Sequence, residues 1–260
     1  MLEEGVIKAG DFNNFEISKA SQAALIRNEI KYLFPIQVAT FNPAFEGKDI
    51  IGRDRTGSGK TLAYSLPVLE RLRKAGKFVN ARGQKPMMMV ILPTRELAIQ
   101  VNRVLKSLKH NDREFRSLTV YGGVDIHKQI QTLRGGVEAV IATPGRLWDL
   151  IERRELDFSA LETIILDETD QMLDIGFQEI IENIIKKIAE EAGKGKVQHL
   201  LFSATMPKWV RDIANHFLRK EVEHVDLIEG QEIKTATTVE HLALLCPSYH
   251  QFISNISDIV

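Results

Sequence analysis

The sequence predicts an α/β fold, a mostly parallel central sheet of about seven strands with helices on both faces. Three observations carry this. Seven short apolar runs recur along the chain: "DIIG", "MMMVIL", "SLTVY", "EAVIAT", "ETIILD", "QHLLFSA" and "VEHVDLI". Amphipathic stretches such as "RELAIQVNRVLKSL" and "GFQEIIENIIKKIAEE" lie between most of them. A glycine-rich loop, "GRDRTGSGKT", joins the first run to a helical pattern. Strand then helix, repeated, builds a parallel sheet whose crossovers cover both faces.

Bulk properties bound the function. The chain has 260 residues, a formal net charge of −1 and 44% hydrophobic residues, ordinary values for one large globular domain or one domain plus a piece of another. The near-neutral charge gives no support to nucleic-acid binding, so any such role must rest on local motifs. Cys246 is the single cysteine. It excludes an internal disulfide framework and suits a reducing, intracellular compartment. "MLEEGVIKAG" has no apolar core and does not read as a secretory signal. The longest apolar run, "MMMVIL", is far too short to cross a bilayer.

Taken in order, the elements start with "YLFPIQ", which places Gln37 shortly before the glycine-rich loop. A side-chain amide offers a donor and an acceptor together, matching the N6/N7 edge of adenine. A lone Gln is more often a surface residue, and no N-K-x-D signature for guanine is present.

"DRTGSGKT" then matches G-x-x-x-x-G-K-[ST] except that Asp54 holds its first position. As a phosphate loop, the backbone N–H groups of Gly57 to Lys60 would wrap the phosphates. Lys60 would reach the β- and γ-phosphates, and the Thr61 hydroxyl would bind Mg²⁺. The alternative is a glycine-rich turn that happens to precede a lysine. The context favours the first, with "KDIIG" before and "TLAYSLPVLERLRKAG" after, where Leu62, Leu66, Leu69 and Leu72 recur at helical spacing. Pro67 is expected to kink that helix or end its first part.

In such a sheet ligands bind at the carboxyl ends of the strands. "MMMVIL" leads into Pro93-Thr94-Arg95, "SLTVY" into Gly122-Gly123, and "EAVIA" into Thr143-Pro144-Gly145-Arg146. Three helix N-termini along one edge could each take a backbone phosphate, or each could be a plain connection. "TIIL" ends in Asp167-Glu168-Thr169-Asp170. One carboxylate can hold Mg²⁺ and a second can polarise a water, although an acidic helix start would look the same. "HLLF" ends in Ser203-Ala204-Thr205, which also reads as a helix cap. After "VDLIEG" a polar stretch, "QEIKTATT", enters a fresh apolar run, "VEHLALLC".

Together these segments resemble one family, the DEAD-box RNA helicases of superfamily 2, over nearly the whole chain from Phe12 to Cys246. The matching segments are the Q motif with Gln37 and its isolated upstream Phe12, "DRTGSGKT", "PTRELA", the "GG" pair, "TPGR", "DETD" followed by "QMLDIGF", and "SAT". "LFPIQ", "RTGSGKT", "DETDQML" and "VEHLAL" look closest to the nucleolar Gu-type branch, which implies a nuclear or nucleolar setting and a part in ribosome biogenesis.

The resemblance implies a RecA-like P-loop NTPase lobe and a role for each residue. Gln37 would read adenine, with Phe12 nearby and Ile30 packing near the base. Arg55, Thr56, Gly57, Ser58, Gly59, Lys60 and Thr61 would hold the phosphates, and Thr61 and Asp167 the Mg²⁺. Lys60, Asp167 and Glu168 would carry hydrolysis of ATP to ADP. Ser203 and Thr205 would couple it to RNA release by hydrogen bonding towards Asp170. Pro93, Thr94, Arg95, Gly122, Gly123, Thr143, Pro144, Gly145 and Arg146 would hold the RNA sugar-phosphate backbone, with little sequence preference.

Four departures stand out. Asp54 takes the place of Ala and is expected to point away from phosphate, towards Arg53 or Arg55. Thr169 replaces Ala, Glu29 stands where Gly is common, and Leu33-Phe34 replace Pro-Thr. The family's second lobe, with its arginine fingers, has no counterpart here. The expected layout is an N-terminal extension and Q-motif region over 1–45, the RecA-like lobe over 46–228, a linker over 229–238 and the truncated start of a second lobe over 239–260. Such a chain is expected to be monomeric, to bind adenine nucleotide, to hydrolyse it poorly and not to unwind duplexes. A pure ATP-gated RNA clamp and a DNA-directed translocase are the competing readings.

Overall fold

In the computed structural model, residues 4–79, 81–111, 114–219 and 221–228 are described. The expected linker and second-lobe segment, 229–260, lie outside them. The seven apolar runs form seven strands: β1 (Asp49–Arg53), β2 (Met88–Ile91), β3 (Ser117–Val120), β4 (Ala139–Ala142), β5 (Thr163–Leu166), β6 (Gln198–Ser203) and β7 (Val222–Asp226). All pairings are parallel, in the order β3-β4-β2-β5-β6-β1-β7.

The near-continuous apolar strands follow from burial on both faces. Met88 and Val90 of β2 enter one core while Met89 and Ile91 enter the other. Leu200 and Phe202 of β6 likewise oppose Leu201. On the first face lie α2 (Lys19–Arg27), α3 (Pro35–Phe45), α4 (Lys60–Lys74) and α5 (Arg95–Ser107). On the second lie α6 (Ile126–Gly135), α7 (Pro144–Glu152), α8 (Thr169–Asp174), α9 (Gln178–Ala192) and α10 (Lys208–Phe217). A short α1 (Glu4–Ala9) and a 3₁₀ turn (Phe12–Asn14) precede α2.

Two features correct or refine the sequence reading. Pro67 does not end its helix: α4 runs unbroken through it from Lys60 to Lys74. A proline frees the carbonyl four residues earlier. Here that carbonyl, Ala63 O, lies 3.3 Å from the Thr40 hydroxyl of α3, so it keeps a donor. The second feature is an ionic cluster that ties α2 to α4. Arg73 donates to Glu70 at 2.7 Å and to Glu114 at 2.6 Å, and all three side chains are at most 10% exposed. Ser21 of α2 donates to Glu70, and the Ser18 backbone N–H reaches the same carboxylate at 2.8 Å.

Candidate active site

The strand order sorts the motifs into two neighbouring groups. The phosphate loop follows β1, Asp167-Glu168 follows β5 and Ser203-Thr205 follows β6, and these three strands are adjacent. Thr94-Arg95 follows β2, Thr143 to Arg146 follow β4 and Gly122-Gly123 follow β3, and these three are adjacent too. Nothing in the sequence states this order.

Two members of the first group, the phosphate loop and Asp167-Glu168, line a cavity of about 610 Å³. Thr56, Gly57, Gly59, Lys60, Thr61, Asp167, Glu168, Ile30 and Gln37 all line it. The loop curls because Gly57 and Gly59 adopt positive φ, 82° and 92°. At Gly59 a side chain is excluded twice over. Its φ disfavours any L residue, and a Cβ would fall 2.4 Å from Gln37 Nε2. Gly59 is the N-cap of α4, so the helix's free N–H groups face the loop.

Lys60 is buried, and its ammonium donates to Asp54 O at 3.1 Å and lies 3.4 Å from Glu168 Oε1. Asp54 accepts the backbone N–H of Arg55 at 2.8 Å, while the Arg53 guanidinium turns to Asp226 at 3.0 Å. The expected turn towards Arg55 is therefore made through its backbone. A pairing with Arg53 is not made, because β7 offers that guanidinium a carboxylate of its own.

Asp167 accepts the Tyr64 hydroxyl and the Glu168 N–H, each at 3.0 Å. Burial, then the Glu168 charge, pushes its carboxyl up to about 6, against the pull of Lys60. Glu168 itself sits in the left-handed region at φ 53°, a strained conformation for a residue with a side chain. Thr169 is fully buried and donates its hydroxyl to Phe202 O at 3.0 Å, so the Thr in place of Ala costs no unpaired polar group. Thr205 donates its backbone N–H and its hydroxyl to Asp170 Oδ2, at 3.0 and 2.9 Å. The Asp170 N–H reaches the Ser203 hydroxyl at 3.3 Å.

Gln37 accepts the Phe34 N–H at 2.8 Å and donates to Gly59 O at 3.1 Å. One donor and one lone pair of its amide remain for a ligand. Three of the residues expected at the nucleotide are not on the cavity wall: Phe12, Arg55 and Ser58. Phe12 is buried in the core, and the chain just before its 3₁₀ turn is tied to the Q-motif segment, where the Leu33 N–H donates to Gly10 O at 2.8 Å. Glu29 has φ 62°, which explains why a glycine suits that position.

In the second group Thr94 caps α5, its hydroxyl accepting the Leu97 N–H at 3.3 Å. Thr143 caps α7 with no side-chain bond, and Pro144 occupies the first turn. Arg95 is exposed beside Glu96, with its guanidinium 5.8 Å from the Tyr121 ring centre. Gly122, Gly123 and Arg95 are open to solvent. Arg146 is not: it turns inward and donates to Val124 O at 3.0 Å and to Gln129 at 3.2 Å. Asp149, 3.6 Å away, and the buried Gln129 hold the guanidinium there, so that it braces the glycine-pair loop.

Sequence reasoning missed Tyr64 and the wall formed by α5. Tyr64 stands four residues after Lys60 and so shares its helical face, which is the one signal that could have found it. Leu97, Val101 and Val104 of α5 also line the cavity.

A family model for the DEAD/DEAH box helicases matches residues 34–213. The chain is 42% identical over 239 residues to mouse "ATP-dependent RNA helicase DDX50", covering 92% of this chain and 32% of that protein. It is 40% identical to "Nucleolar RNA helicase 2-B" of Xenopus laevis, covering 91% of this chain and 29% of that one. It is 42% identical to "DEAD-box ATP-dependent RNA helicase 7" of Spinacia oleracea, with 95% and 36% covered. The chain thus spans about a third of the length of these relatives. A crystal structure of a DEAD box protein from Methanococcus jannaschii superposes with a TM-score of 0.73 at 30% identity, over 84% of this chain and 56% of that one. Sequence, fold and strand-end motifs agree, and the chain belongs to the DEAD/DEAH box helicase family.

Proposed function

We propose that this chain is the ATP-binding lobe of an RNA-dependent ATPase that unwinds or remodels RNA or RNA–protein complexes. One observation carries the reading: the phosphate loop and Asp167-Glu168 line one cavity, Ser203-Thr205 ends the strand between theirs, and the RNA-type loops end the next three strands.

The chemistry follows from the groups present. The N–H groups from Thr56 to Thr61 and the N-terminus of α4 bind the phosphates. Lys60 leaves the Asp54 carbonyl and the Glu168 carboxylate for the terminal phosphates. Gln37 meets adenine with its remaining donor and acceptor, and Ile30 packs against the base. Asp167 is a buried carboxylate beside the Glu168 charge, with Lys60 pulling against it, and such a pair of carboxylates suits a divalent cation. The Thr61 hydroxyl and Asp167 would hold Mg²⁺, which when bound neutralises charge on the transferring phosphoryl group. Glu168 orients the attacking water and takes its proton, and ADP is the product. The Thr205–Asp170 bond and Ser203 couple the state of this site to RNA release.

Thr94, Arg95, Gly122, Gly123, Thr143 and Gly145 hold the RNA backbone, with Pro93 and Pro144 shaping their loops and Arg146 bracing one. A second RecA-like lobe completes the site with arginines, a contribution of roughly 10³–10⁵ in rate for related phosphoryl transfers. Names among the relatives place them in the nucleolus, and we carry that setting over to this chain. Among the described residues no helix is long and apolar enough to cross a membrane.

The test is ATP hydrolysis with and without single-stranded RNA, for this chain alone and for the chain joined to a second lobe. Stimulation by RNA only in the joined form supports the reading. Robust stimulation of this chain alone, or none in either form, contradicts it.

A further inference from the structure

Tyr64 is the largest fully buried side chain among the described residues. Most of it is core: its ring meets the Phe202 ring at 5.4 Å between centres, tilted by 54°. The hydroxyl is the exception. Burying it costs free energy unless it finds a partner, and a phenylalanine would fill the same space without that cost. Its partner is a carboxylate of the site, Asp167 Oδ2, at 3.0 Å.

This bond completes a clamp. Asp167 Oδ1 accepts the Glu168 N–H at 3.0 Å, so each oxygen of the carboxylate is held by one donor. Each keeps lone-pair capacity for a cation or its waters. Tyr64 also follows Thr61 by three residues on α4, and the Thr61 side chain interacts with the same phenolic hydroxyl. The hydroxyl therefore meets both residues assigned to Mg²⁺. It has little freedom to leave them. Phe202 packs against the ring, and Phe202 is itself wedged over β1, where a Cβ on Gly52 would fall 2.6 Å from it.

We propose that Tyr64 is a positioning residue for the metal: its hydroxyl fixes the Asp167 carboxylate relative to Thr61 and so raises the affinity of the nucleotide-bound site for Mg²⁺. The inference rests on the nucleotide reading above and extends it to a residue that is not on the cavity wall. Hydrogen-bond partners behind metal-binding groups orient them, and losing one typically costs about 10–100-fold in metal affinity. A carboxylate without the phenol would sample several orientations, and ordering it would then oppose metal binding. With the phenol in place, the ordering is completed when the chain folds.

The experiment is calorimetric titration of ADP into the unchanged chain and into Tyr64→Phe, at a series of Mg²⁺ concentrations and in EDTA without metal, with a melting curve for each protein. Tyr64→Phe keeps the ring and removes only the hydroxyl. Its half-saturating Mg²⁺ concentration is expected to rise by about tenfold or more, while its ADP affinity in EDTA stays within about twofold of the unchanged chain. A Mg²⁺ requirement that moves by less than about twofold overturns the proposal. So does an equal loss of ADP affinity with and without metal, the signature of a role in packing alone, which a lowered melting temperature would accompany. ADP binding by the unchanged chain that does not respond to Mg²⁺ overturns it as well, together with the metal assignment. If the unchanged chain binds no ADP under any of these conditions, the nucleotide reading itself fails and this inference with it.

Discussion

The Lys60 ammonium lies 3.4 Å from Glu168 Oε1 and donates to the Asp54 carbonyl at 3.1 Å. The residue assigned to phosphate thus forms an ion pair with the residue assigned to water. Glu168→Gln removes the charge that competes for Lys60. It is expected to leave ATP affinity unchanged or modestly higher. Hydrolysis by the chain joined to its second lobe should fall by about 10²–10⁴ with the loss of the general base. Equilibrium binding and single-turnover rates, measured on the same protein, check both halves.

Asp167 links stability to pH. Its folded-state carboxyl is raised from 3.8 to about 6, chiefly by burial. A raised value means that the folded state holds the proton more tightly than the unfolded one. Stability from this group is full below about pH 4 and is lost as pH rises through about 6. Asp167→Asn is therefore expected to melt higher than the unchanged chain at pH 8, by about 1–3 kcal/mol. The difference should vanish near pH 4. The same variant should lose the Mg²⁺-dependent part of ATP binding. An Asn variant less stable at pH 8 would show that the bond from Tyr64 outweighs the desolvation.

Arg73 lies between two carboxylates, Glu70 and Glu114, with little access to water. Breaking a buried pair from one side leaves an uncompensated charge, at about 3–5 kcal/mol. Arg73→Met is expected to lose an amount of that order in denaturant unfolding. The pH dependence has a definite sign. His110 is held below its ordinary value by burial and then by the Arg73 charge, with Glu114 and Glu70 pulling the other way. Without Arg73 it protonates more readily beside the two carboxylates. The defect should be smaller at pH 6 than at pH 8, and an equal defect at both would argue against the cluster as described.

Glu29 occupies the left-handed region at φ 62°. Glycine reaches this region without strain but adds freedom to the unfolded chain. Glu29→Gly is expected to be neutral or stabilising, by up to about 1 kcal/mol. A clear loss of melting temperature would show that the Glu29 side chain makes a contact worth more than the strain.

These residues also show how far the sequence could be read. The edge strands β3 and β7 are only partly buried and gave a weaker signal, whereas the inner strands were legible because each is a short apolar run bounded by turn residues and buried on both faces. Strand order was not, since neighbouring strands such as β1 and β6 are about 150 residues apart and no local pattern encodes their pairing. Pro67 read as a breaker because Thr40, which serves the freed carbonyl, lies on another helix. Residue type and spacing likewise do not reveal that Val124 O and Gln129 accept from the Arg146 guanidinium.

The most direct measurement is calorimetric titration of ATP with Mg²⁺ into this chain and into Lys60→Ala. The expected result is one-to-one binding by the unchanged chain and at least a tenfold loss in the variant. That loss would place the phosphates on the loop that Lys60 closes. Absence of binding by the unchanged chain, or equal binding by both, would contradict the assignment of the cavity to a nucleotide.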